Sequence, residues 1–142
     1  MSELSKELNW EPSIAFLIDL LSIVTLKSII LGCNNPEKKE AYELETQQII
    51  NSLNSKGQNG RLIRAIQIGM LSNRLIWENE TKARSGGRDQ DHLLPLTHTL
   101  NGMRMRAGNF IVSETGGRKD LNLDRVDEEL CKKYGFDFGG LL

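Results

Sequence analysis

A chain of 142 residues has room for one hydrophobic core and little more. Hydrophobic residues at 39%, charged residues at 26% and three prolines exclude a disordered, collagen-like or disulfide-stapled chain. The net charge of −1 conceals a segregation: residues 1–55 hold four Lys/Arg against eight Asp/Glu, residues 56–119 eleven against five, and residues 120–142 three against six. A basic centre between acidic ends attracts an anion or holds its own ends by charge pairing. Cys33 and Cys131 lie far apart with no CxxC spacing, so they read as isolated thiols of a reducing, cytoplasmic setting. No secretory signal is expected, since no basic n-region precedes a short apolar stretch and a small-residue cleavage site.

In chain order, the residues through Trp10 read as an arm leading into a helix. Glu11-Pro12-Ser13 opens that helix, which is apolar almost all round from Ile14 to Leu31 and stops at Gly32. Its length approaches a bilayer span, but Asp19 and Lys27 lie inside it and no basic cluster flanks it, so no membrane crossing is expected. Asn35 caps a second helix with Pro36 at its first position, running to about Ser55 with Ala41, Leu44, Ile49 and Leu53 as the apolar stripe. After the turn at Lys56 to Gly60, a third helix from about Arg61 to Arg84 buries Leu62, Ile66, Met70, Ile76 and Trp77. Pro95 opens a fourth, carrying Leu96, Leu100, Met103, Ala107, Phe110 and Ile111 and ended by Gly116-Gly117. A short fifth helix is expected from about Leu123 to Tyr134, capped by Asn122 and stopped by Gly135.

Long helices joined by short polar turns, without alternating strand patterns, predict an all-α fold, an up-and-down four-helix bundle with a short fifth helix. Residues 1–135 then form a single domain. Residues 136–142 form an apolar tail in which Phe136, Phe138, Leu141 and Leu142 either cover one end of the bundle or dock on a partner.

The chemistry lies in polar residues at helical spacing on faces that look buried. Asn73, Trp77, Glu80 and Arg84 share a stripe of the third helix; His98, Asn101 and Arg104 share a side of the fourth; Asp19, with Lys27 further round, belongs to the first. Two accounts satisfy such groups. In one they pair across helices and fix register. In the other Arg84 and Arg104 hold an anionic group, Asn73 and Asn101 orient it, and Trp77 offers a flat face to a base or ring.

The runs S-I-x-x-L-I-D-x-L-S-I-x-x-L-K (Ser13 to Lys27), N-x-x-I-W-x-x-E-x-x-x-R (Asn73 to Arg84) and L-N-x-x-R (Leu100 to Arg104) together resemble a group of small helical bacterial and phage domains of unknown function. The resemblance covers roughly half the chain and brings no activity with it. It implies that Asp19, Lys27, Asn73, Trp77, Glu80, Arg84, Asn101 and Arg104 sit at the positions defining the group, and that the chain is phage-encoded.

No catalytic residue, metal set or cofactor is expected. Glu78 and Glu80 point in different directions, neither histidine follows a glutamate by three positions, and no phosphate loop, dinucleotide fingerprint or nucleophile motif occurs. The expected function is a small cytoplasmic binding or adaptor protein, self-associating, with a polar pocket for an anionic or nucleotide-like ligand. The alternatives are an interaction module docking on a host or phage machine through its C-terminal tail, or a metal-dependent hydrolase of a phosphorylated small molecule using Asp19 and Glu80. Non-specific, salt-sensitive nucleic-acid binding is the most that Arg61, Arg64, Arg74, Lys82, Arg88, Arg106 and Arg118 imply without a stacking platform.

Overall fold

Helices account for nearly all the regular structure, for reasons written in their ends. A computed structural model describes the backbone of residues 11–84 and 90–137, and the side chains there except at 83, 84 and 90–94. Among these residues the fold is all-α, with no strand. Helix α1 spans Ile14–Leu26 and widens into one π turn over Lys27–Leu31; α2 is Pro36–Ser55, α3 Gly60–Arg84, α4 Gln90–Thr115 and α5 Glu128–Lys133. Ser13 caps α1 by accepting from the Phe16 amide, and Asn35 caps α2 by accepting from the Lys38 amide at 3.1 Å, with Pro36 behind it. The π turn closes where the Gly32 amide reaches back five residues to the Lys27 carbonyl at 3.0 Å.

Two compact units divide the chain, Met1–Arg64 and Ala65–Leu142. In the first, α1 packs on α2 around Leu17, Leu21, Val24, Ile50 and Leu53, with Ile14, Ile18, Tyr42, Ile49 and Ile63 closing the cluster. Gly60 starts α3 hard against α2: a β-carbon there would lie 2.9 Å from the Ile50 Cα, so only glycine admits this approach. Lys56 pairs with Glu11 at 3.0 Å, tying the α2–α3 turn to the lead-in of α1 and holding the Glu11 carboxyl below the usual carboxylate range.

In the second unit α3 and α4 form an antiparallel pair. A β-carbon at Gly69 would sit 3.9 Å from that of Ala107, and about three turns along, Asn79 donates to the Thr97 hydroxyl. Ala65, Ile68, Ser72, Leu75 and Asn79 form the buried face of α3, opposite Leu96, Leu100, Met103 and Ala107 of α4. Small side chains at 65, 69, 72 and 107 let the two helices come close.

Four expectations are corrected. Helix α4 begins at Gln90, so Pro95 lies inside it instead of opening it; its missing amide removes one hydrogen bond from the first turns, where the loss is least damaging. Helix α5 covers only Glu128–Lys133 and is capped by Asp127, not Asn122, because α4 side chains take the Asp124 carbonyl and the Asp127 amide that a longer helix would use in its own ladder. Its stop at Gly135, with φ +88°, is as expected. The α2 stripe is rotated, with Ala41 and Leu44 exposed and Thr46, Ile50 and Leu53 inward. The α3 stripe is also rotated, because its small residues face inward and Ile66, Met70 and Trp77 face out.

Candidate functional site

The residues singled out from the sequence fall into three places. Asp19 and Lys27 are exposed on α1; Asn73, Trp77 and Glu80 are exposed along α3; His98 and Arg104 are exposed on α4, where Asn101 is half-buried. The expectation that these groups are enclosed among helices is therefore corrected: on α1 and α3 they lie on the solvent-facing side, beside exposed apolar residues, since the opposite face carries the core. The Arg84 side chain, Phe138, Leu141 and Leu142 lie outside the described residues, and Phe136 is half-buried with its amide on the Cys131 carbonyl at 2.9 Å.

Three of the predicted residues are brought together, by a partner that sequence reasoning missed. After α4 the glycine pair Gly116 and Gly117, at φ +95° and +122°, turns the chain back so that residues 118–127 run along α4. Asn101 Nδ2 donates to Asp124 Oδ2 at 2.8 Å, His98 Nδ1 lies 3.7 Å from the same oxygen, and Arg104 donates to Asn101 Oδ1. Beneath them Arg106 Nη1 donates to the Gly102 carbonyl at 2.9 Å and the Asp124 carbonyl at 2.7 Å. Thr99 Oγ1 accepts from the Asp127 amide at 3.2 Å, and Asn109 exchanges two bonds with the Asp120 backbone at 2.9 and 3.0 Å. The segment is thus held to α4 by side chains rather than by a backbone ladder.

Asp124 is the charge at the centre of this cluster. The Asn101 amide, helped by the charge of His98 when protonated, holds its carboxyl below the usual carboxylate range against a smaller opposing effect of burial. A carboxylate lowered on folding stabilises the folded state above its unfolded value, about 3.9, and that contribution disappears as pH falls through the folded value. Protection of the Asp127 amide against hydrogen exchange is therefore expected to weaken as pH drops below about 4. Asp124→Asn is expected to abolish that pH dependence, as NMR exchange rates would show.

A second exposed feature lies on α3. Ile66, Met70, Asn73 and Trp77 recur at i, i+4, i+7 and i+11 on its outer side. Met70 is 69% exposed and Trp77 58%, with the Arg74 guanidinium 4.8 Å from the indole centroid and its Nε on Glu78 at 3.0 Å. Among the described residues no group of three or more His, Cys, Asp and Glu side chains converges on a metal-sized space. Comparison with protein-family models, curated proteins and solved structures finds no match for this chain.

Proposed function

We propose that the chain is a small adaptor that binds another protein through the outer face of α3, centred on Trp77. The supporting observation is the exposed run of Ile66, Met70, Asn73 and Trp77, in which methionine and tryptophan stand together with a stacked arginine, the side-chain types that carry binding energy at protein interfaces. Scattered exposed apolar residues are ordinary; three on one helical stripe of α3 are what supports a docking surface there. The occupant is an amphipathic helix with acidic flanks: three anchors at helical spacing suit a helix laid along α3, and the excess of eleven Lys/Arg over five Asp/Glu in residues 56–119 favours negative charge. The up-and-down four-helix bundle, cytoplasmic location and kinship with the bacterial and phage domains belong to this proposal as well.

Photo-crosslinkers placed at positions 70 and 77 test it. The expected product is one crosslinked chain whose attachment peptide is acidic and apolar-striped, with Leu44 as an exposed control position giving none. Trp77→Ala is expected to weaken that complex by roughly 30-fold or more, the effect of losing a central anchor worth about 2 kcal/mol. A melting temperature raised by nucleotides or phosphorylated metabolites, and not raised after Arg104→Ala, would replace this reading with the anionic-ligand one.

A further inference from the structure

Residues 118–127 sit on α4 as a bound peptide would, held chiefly by their main chain. Thr99, Gly102, Arg106 and Asn109 recur at i, i+3, i+7 and i+10, one stripe of the helix. Asn109 donates to the Asp120 carbonyl and accepts from the Asp120 amide, Arg106 donates to the Asp124 carbonyl, and Thr99 accepts from the Asp127 amide. Gly102 leaves the space that the segment fills, since a β-carbon there would lie 2.9 Å from the Asp124 carbonyl carbon. The Asp124 carboxylate is the side chain that α4 holds, through Asn101. Leu121 is 87% exposed, so this stretch gains little from apolar burial; the apolar hold comes further on, at Cys131 of α5, which is 1% exposed. Helix α5 also packs on α4.

We infer that this stripe of α4 is a peptide-binding track that also accepts the arm of a second copy, residues 118–137, so that two chains pair by exchanging arms. A mate's arm carries identical groups, so each of these bonds is remade between chains. The one requirement is that the chain no longer reverses at Gly116 and Gly117. Both are exposed, at φ +95° and +122°. A β-carbon on Gly116 would meet nothing within 4 Å, and one on Gly117 would meet only the Val112 side chain at 3.8 Å, so backbone angle and not packing demands glycine there. In the unaltered chain the tethered arm wins at micromolar concentration, because tethering gives it an effective concentration on the order of millimolar. Strain in the reversal removes that advantage, which is how hinge changes turn monomers into exchanged dimers. The exchange is reciprocal, so it closes at two copies. It rests on the contacts of α4 and not on the α3 face proposed to hold another protein.

Gly116→Val with Gly117→Val places β-branched residues at backbone angles they rarely adopt, and so tests the exchange in the full chain. Analytical ultracentrifugation is expected to show the unaltered protein monomeric at about 10 µM and this hinge variant dimeric, associating at least about tenfold more strongly. Adding Asn101→Ala to the hinge variant is expected to weaken the dimer about tenfold, because the mate's Asp124 carboxylate loses its amide donor. Adding Trp77→Ala instead is expected to leave the dimer unchanged, which separates this pairing from the α3 face. Both glycines are exposed, so circular dichroism should show the hinge variant folded; Gly116→Ala with Gly117→Ala, a milder strain, is expected to dimerise to an intermediate degree and serves if the valine variant does not fold. A folded hinge variant that stays monomeric at about 100 µM overturns the inference. Dimers of any of these chains that are indifferent to Asn101→Ala overturn it too, since they would form through another surface.

Discussion

Leu53→Ala is expected to lower the unfolding free energy by about 2–5 kcal/mol, the cost of removing a fully enclosed leucine and leaving a space its neighbours fill only in part. Leu53 is completely buried among Leu17, Leu21, Val24 and Ile50, where α1 meets α2. Small domains are stable by only about 5–15 kcal/mol, so this one change removes a large share of the total. Urea titration should show a lower midpoint with an unchanged slope. Leu44→Ala on the same helix is the control. Leu44 is 63% exposed, and its removal is expected to change stability by no more than about 0.5 kcal/mol.

Gly102→Ala is expected to act against the usual rule. In a helix interior alanine normally stabilises over glycine by about 0.5–1 kcal/mol. At Gly102 the added methyl would lie 2.9 Å from the Asp124 carbonyl carbon, a backbone atom that no side-chain rotation moves aside. Residues 118–127 must then shift from α4, straining the bonds from Asn101, Arg106 and Thr99 together. The expected result is a net loss of about 1–3 kcal/mol and weaker exchange protection at Asp127. Gly108→Ala, on the same helix with nothing within 4 Å of the new carbon, is expected to stabilise by the ordinary amount.

The helices were legible in the sequence because their ends are chemically explicit. Asn35-Pro36 starts α2 and Gly135 stops α5, each through a local bond or backbone angle needing no tertiary partner. Which side of each helix faces inward was harder to read. On α3 the large residues Ile66, Met70 and Trp77 outweigh Ala65, Ser72 and Asn79 in any hydrophobic count, yet the small ones lie inside because α4 approaches closely there. Apolar bulk gave the wrong face wherever close approach, not volume, decided the packing. The cluster on α4 was half legible: the spacing of His98, Asn101 and Arg104 puts them on one side, but Asp124 joins them from a stretch that was expected to be helical. Asn101, the shared partner of Asp124 and Arg104, is bound through its side chain from both directions, and no local pattern announces that.

The wide turn at the end of α1 bears on how the length of this chain can change. Between Lys27 and Leu31 the helix holds one residue more per hydrogen-bonded ring than α winding requires. Deleting a single residue from that stretch lets the backbone close into ordinary α geometry while the segments before and after keep their directions. The same deletion near Leu21 would rotate the buried row away from α2. Loss of one residue is therefore absorbed at this point of α1 and resisted along the rest of it.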